Sequence, residues 1–163
     1  MIDVSSLYQR YAKDVYRFSL FLSGDRALAE DLTSETFLRV WSVRETIRLT
    51  TVKAFLFTIA RNLFLQWQRK KLRHVDLDDR IPDPRPGPGQ SAEQSMTLVA
   101  VITRLGELPE SDRVALLMQA EGVPYEDIAS VLGIGVAAAK VKVHRARRRL
   151  ASACSEFHVC RRH

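Results

Sequence analysis

Cysteine and long apolar runs are scarce in this 163-residue chain, and both shortages exclude classes of protein. The two cysteines, Cys154 and Cys160, lie in the last ten residues, which excludes a disulfide scaffold for the core. No run of about 18 uncharged apolar residues occurs, so we expect no membrane span. The N-terminal segment lacks the charged and then apolar order of a signal peptide, and we expect a cytoplasmic protein.

Sequence patterns of common catalytic sites are missing as well. The chain has no glycine-rich phosphate loop and no nucleophile spaced from a base as in known hydrolase motifs. His74 and His144 lie among cations rather than beside carboxylates. We therefore expect no enzymatic activity and no cofactor.

Strand-like alternation is also absent, so the sequence predicts an all-α fold. Residues 5–74 contain one glycine, Gly24, and no proline, and Ser23 or Asp25 is predicted to cap the helix that follows. That helix has an apolar stripe at spacing four, widened by two aromatic residues: Leu28, Leu32, Thr36, Val40, Phe37 and Trp41. A further helix is predicted over 51–73, and its apolar positions are Phe55, Ile59, Leu63 and Trp67.

Four prolines at alternate positions separate this block from a second helical block. They are Pro82, Pro84, Pro86 and Pro88. Proline lacks the amide hydrogen and disfavours helix at the preceding residue, so this stretch is predicted to be an extended linker. We expect two small helical domains, 1–75 and 96–155, joined by a Pro/Gly-rich linker at 76–95 and followed by a tail at 156–163.

The second block ends in the layout of a helix-turn-helix. A short helix over 125–132 meets a tight turn at 133–135, and a second helix begins near Val136. Its predicted inner face is Val136, Ala139, Val143, Ala146 and Leu150. The opposite face presents Lys140, Val141, His144 and Arg145, with Lys142 at its edge. A recognition helix shows such a face to the major groove, whereas the alternative is a surface helix of an ordinary bundle.

Positive charge is concentrated in two stretches without acids. Residues 61–73 carry five cations and residues 140–149 carry six, together 11 of the 25 in the chain. One such run is usually a solvated helix face, but two of them favour a polyanion as partner. The first run interleaves cations with Phe64 and Trp67, a pattern that suits single-stranded nucleic acid because bases stack on aromatic rings.

Three segments in this order resemble the extracytoplasmic-function sigma factors, the two-domain specificity subunits of bacterial RNA polymerase. AEDLTSETFLRVW (29–41) resembles their regions 2.1–2.2, and FLFTIARNLFLQWQRKK (55–71) resembles regions 2.3–2.4. The segment from Glu107 to Leu150 resembles region 4. The resemblance covers nearly the whole chain and implies a protein that directs promoter-specific initiation.

The resemblance implies three binding surfaces. The 2.2 helix would dock on the clamp helices of the largest subunit of core RNA polymerase through Asp31, Ser34, Glu35, Phe37, Leu38 and Trp41. The −10 element of promoter DNA would be melted and held by Arg61, Asn62, Trp67, Arg69, Lys70 and Lys71. The −35 element would be read as duplex through Ala138, Lys140, Val141, Lys142, His144, Arg145 and Arg147. An anti-sigma factor is the further partner that the resemblance implies.

The chain departs from the family pattern at several of these positions. Ser34 stands where the family usually has Gln, Phe55 where it often has Trp, and Thr58 where it often has Arg. In the recognition helix, Gly135 replaces a capping serine. Hydroxyl-bearing residues have likewise become Ala138 and Val141, so fewer polar contacts to the −35 element are expected. Contact between valine and a thymine methyl would replace some of them.

Two alternatives follow from parts of the sequence. A free-standing helix-turn-helix regulator would explain residues 107–150 but would leave the patterns at 29–41 and 55–71 unused. The tail crowds four residues that can ligate metals into ten positions: Cys154, His158, Cys160 and His163. Their spacing matches no strong zinc pattern, so a tail with reduced thiols stands beside metal or redox sensing.

Overall fold

The computed structural model describes residues 3–42, 51–73 and 92–156, with side chains over 3–42, 51–73 and 97–152. The chain divides into two compact units, Met1–Asp83 and Pro84–His163. The described residues form helices and no strand, which confirms the all-α prediction. Residues 43–50 lie outside the described residues, and so do residues 76–91 of the predicted linker. Residues 92–95 were wrongly predicted to belong to the linker, because α4 begins at Ala92.

Three helices make up the described part of the first unit, and four make up that of the second. The first unit contains α1 (Val4–Ser23), α2 (Arg26–Ser42) and α3 (Val52–Arg73). The second contains α4 (Ala92–Gly106), α5 (Glu110–Ala120), α6 (Tyr125–Leu132) and α7 (Val136–Glu156).

The turn between α1 and α2 shows why the first break falls where it does. Gly24 closes α1 with φ at 71°, a left-handed conformation that glycine adopts without a Cβ clash. The Asp25 carboxylate then accepts hydrogen bonds from the backbone N–H groups of Ala27 and Leu28, at 3.0 and 3.3 Å. Asp25 is therefore the cap of α2, while the Ser23 hydroxyl donates back to the carbonyl of Ser19.

The core of the first unit is built around two stacked aromatic rings. Phe18 of α1 and Phe57 of α3 have ring centroids 4.5 Å apart, and their planes differ by 14°. Both side chains are almost fully buried, together with Val15, Leu22 and Leu56. Lys53 adds an ion pair to Asp14 at 3.7 Å, which links α3 to α1 at the edge of this core.

The buried faces of α2 and α3 differ in part from the predicted ones. Leu28, Leu32, Thr36, Phe37 and Val40 are buried as predicted, but Trp41 lies on the surface. In α3 only Phe55 of the predicted set is buried, whereas Ile59, Leu63 and Trp67 are partly exposed. The core residues of α3 are Ala54, Phe55, Leu56, Phe57, Ala60 and Phe64. Because apolar residues surround this helix, spacing four alone did not identify the face that packs.

The second unit packs α7 against α4, α5 and α6. Ala139, Val143 and Ala146 are fully buried along the inner face of α7, which confirms the centre of the predicted stripe. At its two ends, Leu150 is partly exposed and Val136 is on the surface. Val114 and Met118 of α5 and Ile128 of α6 complete this core.

The helix-turn-helix occurs where the sequence predicts it. Helix α6 ends at Leu132, and Gly133 caps it in the left-handed conformation with φ at 67°. The carbonyl of Gly135 accepts the first hydrogen bond of α7, from the N–H of Ala139 at 3.0 Å. Since glycine has no side chain, the start of α7 gains no side-chain cap at that position.

Replacement of Asp25 by alanine tests the cap of α2. We expect Asp25→Ala to lower the free energy of unfolding of the first unit by about 1 kcal/mol, because two N–H groups lose their acceptor. Asp25→Asn keeps an acceptor and serves as the control, with a much smaller expected loss. Urea unfolding followed by circular dichroism measures both variants. Equal losses would show that capping is not what Asp25 contributes.

Candidate nucleic-acid and protein-binding sites

The outward face of α7 is the first candidate surface. Because Ala139, Val143 and Ala146 point into the unit, the residues on the opposite side of the helix face solvent. Val141 is 55% exposed, and His144 and Arg145 are exposed beside it. Their side chains line an open concavity of about 450 Å³ along the helix. This face offers cations and one apolar side chain to a partner.

Arg148 also belongs to this face, although the sequence-based assignment omitted it. It lines the same concavity as Val141 and Arg145 and is exposed. The helical period could have identified it, since it lies four residues after His144 and seven after Val141. Arg149 and Ser152 extend the concavity further along the helix.

The N-terminal part of α7 places Lys140 and Ala138 on the surface. The Lys140 ammonium lies 5.7 Å from the ring centroid of Tyr125, at the start of α6. This cation–π contact lets the aromatic ring restrict the lysine without neutralising its charge. Lys140 therefore remains available to an anion.

Two other cations of α7 are directed toward α5 instead. The Lys142 ammonium lies 3.2 Å from both the Asp112 carboxylate and the Ser111 hydroxyl. Arg147 is exposed and donates a hydrogen bond to the side-chain carbonyl of Gln119. The sequence could not indicate these partners, which lie about thirty residues earlier in the chain. The predicted outward position of Lys142, at the edge of the recognition face, is therefore corrected.

The C-terminal half of α3 is the second cationic surface. Asn62, Arg69, Lys70 and Lys71 are exposed, and Arg61 is partly buried. The Trp67 ring lies parallel to that of Phe64, at a centroid distance of 6.2 Å, and the Lys71 ammonium lies 4.9 Å from its centroid. The buried Phe64 thus supports a partly exposed indole that has a cation beside it. This arrangement can stack a base and pair its phosphate.

The exposed face of α2 has the opposite chemistry. Asp31, Ser34 and Glu35 are exposed in the middle of the helix. Leu38 is 65% exposed and Trp41 is 59% exposed at its end. Carboxylates repel phosphates, whereas large exposed apolar groups are typical anchors of protein interfaces, so this face suits a protein.

Phe37 does not belong to that exposed face: its burial agrees with the apolar stripe of α2 and leaves no surface for the direct docking contact that the resemblance implies. It is 5% exposed, and its ring meets Tyr8 of α1 edge to face at a centroid distance of 5.1 Å. Its position, one residue before Leu38, turns it about 100° around the helix, toward the core. Phe37 therefore packs α2 against α1.

Neither a metal site nor a membrane span is found in the part of the chain that the structure describes. There, no three His, Cys, Asp or Glu side chains come together as metal ligands. None of its helices is long and apolar enough to cross a membrane. The side chains of the tail, including Cys154, His158, Cys160 and His163, lie outside the described residues.

Two family matches cover most of the chain. Residues 7–74 match the family described as Sigma-70 region 2, and residues 98–150 match the one described as Sigma-70, region 4. The matches follow the order of the two compact units. Both candidate cationic surfaces and the α2 face fall within them.

Individual relatives agree with these matches. The ECF RNA polymerase sigma factor SigM of Bacillus subtilis is 35% identical over 152 residues, which cover 91% of this chain and 93% of that protein. The ECF RNA polymerase sigma factor SigL of Mycobacterium tuberculosis is 30% identical over 161 residues, covering 96% and 91%. Sigma factor RpoE, solved in complex with the anti-sigma factor NepR from Bartonella quintana, aligns with a TM-score of 0.77 at 29% identity, covering 93% and 96%.

Proposed function

The chain belongs to the extracytoplasmic-function sigma factors of RNA polymerase, and we propose how its surfaces divide the work of promoter-specific initiation. Three surfaces with the required chemistry carry this proposal: the acidic and apolar face of α2, the cationic and aromatic end of α3, and the cationic face of α7. A free-standing helix-turn-helix regulator is not favoured, because the chain matches region 2 as well as region 4.

The exposed face of α2 is the proposed docking site for the clamp helices of core polymerase. Leu38 and Trp41 supply the apolar anchors, and Asp31, Ser34 and Glu35 supply a polar and acidic rim. Phe37 is buried, so its proposed contribution to docking is indirect: it holds α2 in place against α1. An acidic interface also keeps this face off the DNA.

The end of α3 is the proposed site for the −10 element. Melting a promoter requires bases to leave the stack, and an aromatic surface with nearby cations compensates part of that cost. Trp67 and Lys71 form such a surface, and Arg69 and Lys70 extend the charge along the helix. The exposed amide of Asn62 can donate to and accept from a base edge.

The outward face of α7 is the proposed reader of the −35 element. Arg145 can make a bidentate contact to guanine in the major groove, and Lys140, His144 and Arg148 can contact bases or phosphates. Ala138 and Val141 offer no hydrogen bonds, so electrostatic attraction carries more of the affinity. We propose domain limits of 1–75 for the first DNA-binding part and, because α4 begins at Ala92, of 92–155 instead of 96–155 for the second.

An anti-sigma factor is the proposed regulator. The solved relative with the TM-score of 0.77 is bound to one, and that relative covers nearly this whole chain. The α2 face and the cationic faces would be blocked by such a partner. The chain is proposed to act in the cytoplasm. It is also proposed to have no catalytic groups of its own, because the polymerase performs the chemistry of RNA synthesis.

Run-off transcription tests the proposal. Purified core polymerase is assayed with and without this protein on the promoter upstream of its own gene. Specific initiation that requires the added chain supports the proposal and locates both promoter elements. Binding to core polymerase is measured on the same samples, and failure to bind would favour the free-standing regulator.

Removal of Arg145 separates promoter reading from polymerase binding. We expect Arg145→Ala to weaken promoters that need the −35 element by about tenfold to a hundredfold, because a bidentate contact to guanine is lost. Affinity for core polymerase, measured by fluorescence anisotropy, stays unchanged. An equal loss of core binding would contradict the proposed division between α7 and α2.

Removal of the apolar anchors on α2 tests the docking face. Leu38→Ser and Trp41→Ser should each weaken core binding by about tenfold, since exposed anchors at an interface often contribute more than 1 kcal/mol. Leu72→Ser is the matched control, because it removes an even more exposed leucine from α3. A loss of core binding as large in the control would show that general hydrophobicity, not this face, drives association.

Removal of thymine methyl groups tests the role of Val141. Substituting deoxyuridine for thymine in the −35 element removes one methyl group and should weaken wild-type binding by about fourfold where Val141 packs on it. Val141→Ser should lose this dependence. Val136→Ser is the matched control on the same helix, about 140° around from Val141, and should keep it. Methyl dependence that persists in Val141→Ser would assign the contact to another residue.

A further inference from the structure

Lys142 forms the one ion pair that the structure gives between α7 and α5 among the described residues. Its ammonium contacts the Asp112 carboxylate and the Ser111 hydroxyl, both at 3.2 Å. The lysine side chain is 25% exposed and that of Asp112 is 2% exposed. The pair is therefore largely withdrawn from water, unlike the cations on the outward face of α7.

Asp112 depends on this lysine. One carboxylate oxygen, Oδ1, is paired with Lys142, and the other, Oδ2, has no hydrogen-bond partner among the described residues. The side chain lies in the first turn of α5, where the helix dipole gives a negative charge modest support. If Lys142 turned to a phosphate, a buried carboxylate would lose its counter-ion, which is strongly unfavourable.

The apolar contact beside this pair is made by small side chains of α7. Among the side chains of α7 that the structure describes, up to Ser152, the buried ones are Ala139, Val143 and Ala146, which are alanine or valine. This seam determines which face of α7 packs, and a polar pair beside it restricts the rotation of the helix further. A buried polar pair has one favourable geometry and can therefore select a single register.

We propose that Lys142 is a positioning residue and not a phosphate contact. Its pair with Asp112 fixes the rotation of α7 on α5, and that rotation determines where Val141, His144 and Arg145 meet the major groove. The sequence-based assignment of Lys142 to the −35 contact set is replaced by this role. The inference rests on the proposed reading of the −35 element by α7.

A salt titration distinguishes positioning from phosphate contact. Holoenzyme made from core polymerase and the full chain is bound to a fluorescent duplex that carries the promoter upstream of its own gene. The logarithm of affinity falls linearly with the logarithm of salt concentration, and each lost phosphate contact makes this line shallower by about 0.9. Lys142→Met should lower affinity at least tenfold with an unchanged slope, whereas Lys140→Met, at an exposed cation, should lower the slope by about 0.9.

A second substitution at Asp112 provides the rescue. Apolar residues can replace a buried ion pair with little loss of stability, whereas removal of one partner alone is costly. Lys142→Met combined with Asp112→Leu should therefore recover affinity to within about threefold of wild type. The same Asp112→Leu substitution should not rescue Lys140→Met. Circular dichroism of each variant reports whether the second unit stays folded.

Asp112→Asn keeps the inference testable if the larger substitutions unfold the unit. It preserves size while removing the charge, so adding Lys142→Met in that background should change affinity little. A slope that falls by about 0.9 in Lys142→Met, without rescue, would overturn the inference. Unchanged affinity in a folded Lys142→Met variant would overturn it as well.

Arg145→Ala, measured in parallel, distinguishes this failure from failure of the proposed function. If Arg145→Ala weakens binding and Lys142→Met does not, only the positioning role is lost. If neither substitution has an effect, α7 does not read the −35 element, and both proposals fall.

Discussion

The packing of small side chains along one side of α7 is the constraint on which the second unit depends. Ala139, Val143 and Ala146 occupy the buried seam, so a single helix can contribute to a core and still leave most of its circumference in water. Every cation that is to meet DNA must then lie outside that seam. The helical period, rather than any special geometry, places Val141, His144 and Arg145 together.

In the first unit, two helices share one core and expose faces of different charge. Helices α2 and α3 share a core with α1, yet α2 exposes carboxylates beside apolar groups while α3 exposes cations beside an indole. Helix α3 carries cations and no acid, whereas α2 carries acids together with Arg39, which pairs with Glu35. The two faces therefore favour different partners, since carboxylates repel the phosphates that cations attract. A unit of three helices can therefore hold a protein surface and a nucleic-acid surface without mixing them.

The sequence predicted the parts of this structure that depend on local chemistry. Helix α6 begins and ends where Pro124 and Gly133 indicate, and Ala139 and Ala146 of α7 are buried because the helical period places them on the packed face. Local patterns failed where the partner is distant or the pattern is ambiguous. The apolar residues around α3 left its packed face undefined, and the edge-to-face contact of Phe37 with Tyr8 joins residues that lie far apart in the sequence. The pairing of Lys142 with Asp112 likewise spans 30 residues, so no spacing rule could indicate it.

The departures in the recognition helix bear on how specificity is obtained. With Ala138 and Val141 in place of hydroxyl-bearing residues, the proposed −35 reader offers few hydrogen bonds to base edges, so in that proposal much of its attraction to DNA is electrostatic and independent of sequence. A weak reader gains effective affinity when a second binding module holds it near its site, because the second contact becomes intramolecular. In the proposed function, α2 on polymerase and α3 at the −10 element provide that attachment. Modest discrimination by α7 is then enough, since a promoter must satisfy both DNA surfaces at once.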